Sequence, residues 1–205
     1  MMSIEFLLTS LVVVLMPGTG VLYTVAIGLF VGKRASFFAA LGCTLGILPA
    51  LLASSFGLAA IFHTSALAFQ IVKYAGAVYL LYLAWQMWRT SSPLSVSKTS
   101  SGTSYTGLIM KGFLLNILNP KLSIFFLAFL PQFIPNTTQS VFINMLTLGS
   151  VFMLMTFAVF LVYGFLSGTF SAFIVRSEKA SLAMQKLFAT SFAALGVKLA
   201  FSERV

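Results

Sequence analysis

The chain has 205 residues, 60% of them hydrophobic and 7% charged. A soluble domain carries roughly 25% charged residues, so a chain this apolar has too little polar surface for water and takes lipid as its solvent. Its formal charge of +9 sets 12 Lys and Arg against three acids, Glu5, Glu178 and Glu203. No basic polar surface interleaved with aromatics accompanies that excess, which excludes nucleic acid as a partner; the cations orient helices against a membrane instead.

A spanning helix needs about 20 mostly apolar residues. The fold class expected is therefore all-α, a multi-pass membrane protein of about six transmembrane helices in one membrane domain, 1–205, with lipid as its surroundings. Met1 to Glu5 lacks a basic leader region, so the N-terminus reads as the start of the first span. The expected spans cover 4–31, 35–62, 68–88, 107–134, 141–167 and 182–201. Pro17, Pro49 and Pro120 interrupt the first, second and fourth. Lys33 and Arg34 follow the first span, Arg89, Lys98 and Lys111 surround the third connection, and Arg176, Lys179 and Lys186 surround the fifth. The connections near 63–65 and 135–140 carry no Lys or Arg. Cytoplasmic loops collect these cations, which puts both chain ends outside; Lys198 and Arg204 dissent.

Residues 90–106 are rich in Ser and Thr and read as a cytoplasmic linker. They divide the chain into halves of three spans each, 1–89 and 107–205. An odd number of crossings reverses direction, so the halves form the pattern of an inverted repeat, the architecture of many secondary transporters.

The first candidate site is Met16-Pro17-Gly18-Thr19-Gly20, in mid-span. Pro17 removes a backbone donor, and Gly18 and Gly20 loosen the next turn. In lipid the freed groups must find partners in the protein or in a wet cavity, so the break marks a polar site; the plainer reading is a packing kink. The second is Asn116-Ile117-Leu118-Asn119-Pro120-Lys121. A cation at depth is costly unless paired or hydrated. Asn116, Asn119, Pro120 and Lys121 are expected to line a solute pathway, with Lys121 facing a substrate carboxylate; alternatively Lys121 snorkels and the amides join helices. Gln132, after the aromatic run from Phe125, reads as an ordinary helix-end residue. Gly28 with Gly32, Gly42 with Gly46, and Gly164 with Gly168 have the spacing that lets helices pack closely. Tyr79, Tyr82, Trp85 and Trp88 read as an interface belt.

Cys43 and His63 are the only cysteine and histidine, so neither a disulfide within the chain nor a metal centre is expected, and no cofactor. The chain has no Asp, no phosphate-binding glycine loop and no nucleophile–base pair. An enzyme is not expected. A homo-oligomer is left open.

Nearly the whole chain resembles LysE/RhtB-type amino-acid exporters. The resemblance rests on Pro17-Gly18, on Gly42 and Gly46, on Lys73-Tyr74-Ala75-Gly76-Ala77-Val78-Tyr79-Leu80, and most of all on Asn119-Pro120-Lys121 followed by Phe125 to Phe133. It departs where Thr19 follows Gly18, a position at which the family often has proline. The resemblance implies a multi-pass protein of the bacterial inner membrane that exports amino acids or related metabolites using the proton gradient. A small-molecule substrate would then sit between the two broken spans, against Thr19 and the freed backbone on one side and Asn116, Asn119 and Lys121 on the other. A passive facilitator and a non-transporting scaffold are the competing readings.

Overall fold

The computed structural model describes residues 3–64, 66–89, 104–117, 119–134, 140–170 and 177–201. The linker over 90–103, with Lys98, and the cations Arg176 and Arg204 lie outside the described residues. Among the described residues the regular structure is helical throughout.

The first span is two helices, α1 (Ile4–Leu15) and α2 (Thr19–Phe30), bent by 56°. Ser3 opens α1 by accepting a hydrogen bond from the Phe6 amide at 3.1 Å, the usual N-cap chemistry. Pro17 and Gly18 end it, and each half is about 18 Å long at 1.5 Å per residue, so the break falls near mid-membrane. Gly32 turns the chain into the second span with φ of +123°, a conformation open only to glycine at low cost.

The second span is α3 (Lys33–Leu45) followed by α4 (Leu48–Thr64). Its interruption is not at Pro49, as the sequence suggested, but at Gly46 and Ile47. Pro49 is the second residue of α4, where its missing amide hydrogen has no helical acceptor to lose. The third expected span is the helix α5 (Ala66–Arg89), which is long enough to cross but, with Lys73 and Arg89, is not among the stretches apolar enough to do so by themselves.

The fourth span starts with α6 (Tyr105–Ile117), so the linker ends before Tyr105 rather than at 106. After a 53° bend come α7 (Pro120–Ile124), a π-helical turn (Phe125–Phe129) and a 3-10 turn (Leu130–Phe133). Asn119 caps α7 by accepting from the Lys121 amide at 3.1 Å, and Pro120 takes the first helical position. The fifth span is α8 (Val141–Phe165), continued by the short α9 (Ser167–Phe170), and the sixth is α10 (Glu178–Phe201). Three stretches, Lys33–Gly57, Val141–Phe165 and Lys179–Phe201, are long and apolar enough to cross a bilayer unaided, and the two bent pairs qualify as broken spans. The chain is a polytopic membrane protein.

α5 lies along α10, α3 and α4 lie along α8, α1 and α2 touch α8, and α6 packs on α3. Exchanging the two halves maps the third–sixth and second–fifth pairs onto themselves and the first–fifth pair onto the fourth–second pair. Gly76 faces Leu199 while Gly196 faces Ala77, Leu80 and Leu81, so α5 and α10 run antiparallel. Glu5 and Lys198 form an exposed ion pair at 3.3 Å. It brings the start of α1 and the end of α10 to one face and accounts for a cation at the end where the loop pattern disfavoured one.

The buried side chains form two clusters. One gathers Val13, Val14, Leu122, Phe126 and Phe152 with the inner faces of α5 and α10. The other gathers Val21, Ile27, Ala39, Cys43, Leu108 and Phe160. The two proline breaks lie on the seam between them.

Candidate functional site

Accounting for the carbonyls released by each break builds the site. In an unbroken helix the Val13 carbonyl would accept from the amide of residue 17; residue 17 is proline and has no N–H. Lys121 Nζ donates to the Val13 oxygen instead at 3.2 Å, and to the Met16 oxygen at 3.5 Å. Met16 also accepts from the Gly18 amide at 2.9 Å, and Tyr163 of α8 donates its hydroxyl to the Leu15 oxygen at 2.7 Å. A side chain from the second break thus satisfies backbone acceptors freed by the first. These carbonyls lie at the negative end of the α1 dipole, where a cation is favoured.

The second span contributes in the same way. At its turn the Ile47 amide donates to Thr44 at 3.0 Å, so the Cys43 carbonyl loses its helical donor. The Asn116 amide nitrogen, buried in α6, donates to that carbonyl at 2.7 Å. The Asn116 side-chain oxygen accepts from Asn119 Nδ2 at 3.5 Å. Across the second break, the Asn119 amide reaches the Asn116 carbonyl at 3.1 Å, which replaces the donor that Pro120 lacks.

Two cavities meet at Asn119. One is narrow and holds about 20 Å³, lined by Gly18, Gly20, Asn116, Asn119, Lys121, Thr156 and apolar neighbours. That volume suits one water and no larger solute. The other is an open groove of about 600 Å³ between α2 and α6, lined by Thr19, Gly107, Lys111, Asn119, Pro120 and apolar side chains of α6. The expected site residues therefore divide. Gly18, Gly20, Asn116 and Lys121 line the narrow cavity, Thr19 and Pro120 face the groove, and Asn119 lines both. Pro17 is buried and lines neither cavity; it acts by the donor it lacks.

The glycines divide as well. A Cβ at Gly28 would collide with the Gly164 carbonyl and Ser167, one at Gly42 with the Ile109 backbone, one at Gly46 with the Phe113 carbonyl, and one at Gly164 with Ser36. These four sit where backbones meet. Gly32 and Gly168 have nothing within 4 Å of such an atom; Gly32 serves its turn conformation and Gly168 stands in open space, so neither is a packing residue. Gly20 is a closer case, since its Cβ would lie 3.0 Å from both Asn116 Oδ1 and the Phe160 ring. Gln132 donates to the Ala128 carbonyl of its own segment at 3.4 Å, as a helix-end residue does.

Three residues of α8 escaped the sequence reading: Phe152, Thr156 and Phe160, all in the wall of the narrow cavity. Thr156 is buried and donates to the Phe152 carbonyl at 2.8 Å. Such back-bonding is common for hydroxyls in membrane helices, so a single threonine in an apolar run gives no signal. Gly76 was missed too; its Cβ would collide with that of Ala128, so α5 lies directly against the π-helical turn.

Comparison with known proteins agrees with this architecture. The model of the LysE type translocator family matches residues 11–203. An uncharacterized membrane protein of Vibrio cholerae is 34% identical over 197 residues, 96% of this chain and 95% of that one. A homoserine/homoserine lactone efflux protein of Salmonella typhimurium is 31% identical over 196 residues, 95% of this chain and 94% of its own length. The protein of the same description from Salmonella typhi is also 31% identical over 196 residues. No solved structure matches the chain. With two interrupted spans meeting at one cavity and a family match over nearly its whole length, the chain belongs to the LysE type translocators.

Proposed function

We propose that this protein exports amino acids, or close relatives such as homoserine and its lactone, across the bacterial inner membrane by alternating access driven by the proton gradient. The observation that carries the reading is the meeting of both breaks at one cavity, where Lys121, Asn116 and Thr156 donate to backbone carbonyls and Asn119 donates to the Asn116 side chain. Polar groups at this depth are costly unless they serve a pathway. The cavity holds only about 20 Å³, too narrow for a continuous open pore at this point, which favours a carrier that must rearrange to load. The groove runs from Gly107 and Lys111 to Asn119. By the distribution of cations that end faces the cytoplasm, which suits loading from inside. The correspondence of packing between the halves supports an inverted repeat, whose rocking alternates access.

Homoserine and its lactone, the solutes in the Salmonella relatives' names, share a primary ammonium and differ in whether the carboxyl is free. A site serving both reads the ammonium first.

Uptake of labelled homoserine and a panel of amino acids into inverted membrane vesicles tests the proposal. Accumulation that collapses with an uncoupler is expected. Folded protein in the membrane that moves none of the panel overturns it, and transport indifferent to the uncoupler makes it a passive facilitator.

A further inference from the structure

A zwitterion held inside a membrane needs a partner for each charge, and this chain has very little with which to hold a cation. It has no Asp. Glu5 lies in the first turn of α1, about 12 Å along the helix from Val13, and is paired with Lys198. Glu178 opens α10, at the far end of the sixth span. Among the described residues, no carboxylate lines the narrow cavity. What the site does offer is a pair of backbone oxygens within reach of Lys121, those of Val13, which lines the cavity, and of Met16 beside it, at the negative end of α1.

Those oxygens already hold a primary ammonium, the protein's own. Lys121 Nζ is 3.2 Å from Val13 O and 3.5 Å from Met16 O. Gly18 lies beside the ammonium, where an added Cβ would be in ordinary contact with Nζ at 3.5 Å and only a longer side chain would crowd it. Any primary ammonium has the same three donors and meets the same acceptors.

We infer that the Val13 and Met16 carbonyls form an ammonium subsite, filled by Lys121 when the transporter is empty and taken over by the α-ammonium of the substrate, whose carboxylate then pairs with the released Lys121. This rests on the proposed role in amino-acid export and specifies the solute class: small primary amines, with a free carboxylate as a second point of attachment. The exchange keeps a cation on the carbonyls throughout, so neither loading nor unloading leaves them bare in lipid. It also supplies room, because a cavity of about 20 Å³ admits a solute only once the lysine stem withdraws.

The test separates the subsite from the transport role. Thermal unfolding of the detergent-purified protein is followed with ethanolamine, a primary ammonium without a carboxylate, and with N-acetylethanolamine as control. Lys121→Met should be stabilised saturably by ethanolamine and not by the control. Adding Gly18→Leu, which covers the carbonyls, should abolish that stabilisation. Wild type should need about tenfold more ethanolamine or higher, because its own ammonium competes. In vesicles, an N-acetylated amino acid should be carried by wild type at least about tenfold more slowly than its parent, the cost of a lost charge-assisted contact. This last measurement requires no variant. Lys121→Met showing no saturable response to ethanolamine, or wild type carrying the N-acetyl compound as well as the parent, would overturn the subsite. If wild type carries no amino acid while ethanolamine still stabilises Lys121→Met, the subsite stands and the export reading falls.

Discussion

Asn116 of the fourth span reaches 2.7 Å to the carbonyl of Cys43 in the second, an acceptor that the turn at Gly46 and Ile47 has stripped of its helical donor. Asn116 thus joins two spans and also lines the cavity between the breaks. Asn116→Leu should lower stability by about 1–2 kcal/mol, the scale of interhelical hydrogen bonds in membranes, and should abolish transport. Thermal melting in detergent, read beside vesicle uptake, checks both. Unchanged melting would mean that Cys43 finds another donor.

The three glycine pairs offer a graded comparison. Gly42→Ala brings a Cβ onto the Ile109 backbone, which cannot retreat as a flexible side chain can, and should cost about 1–3 kcal/mol as overpacking. Gly32→Ala meets no atom but must adopt φ of +123°, a strain of about 1–3 kcal/mol. Gly168→Ala meets neither obstacle and should stay within about 0.5 kcal/mol of wild type. Melting temperatures of the three proteins in one detergent would rank them.

Gly18 should discriminate by size. Alanine would place its Cβ in ordinary contact with Lys121 Nζ, at 3.5 Å, and should leave transport within about twofold of wild type. Leucine extends over the Val13 and Met16 carbonyls and should reduce uptake by about tenfold or more. Initial rates in vesicles, normalised to protein in the membrane, give the comparison.

Thr156→Val removes a cavity hydroxyl with little change of shape. Its bond to Phe152 is an extra one within α8, so stability should change by less than about 1 kcal/mol. A contribution of the hydroxyl to solute binding should appear as a several-fold rise in KM with kcat nearly unchanged, measurable from concentration series. Equal loss in both constants would assign Thr156 to the moving parts instead.

The spans, their order and the two proline breaks were legible because apolar run length and proline's missing donor act locally. Lys121 was legible as a cation at depth, but its partner was not: the pairing with Val13 joins residues 108 apart in sequence. The second-span interruption was misplaced for a related reason. A proline near a helix start costs nothing, while Gly46 and Ile47 turn without any proline to mark them. Thr156 hid because a threonine bonded to its own helix looks the same whichever side it faces. The Gly164 contact was readable as a small residue, yet that it meets Gly28 depends on how the spans are arranged, which residue spacing within one helix does not encode.

The narrowness of the cavity at the two breaks has an electrical consequence. With room for about a single water, it is too small to hold a file of waters along which protons could hop. A membrane crowded with this protein in this state should keep its electrical resistance.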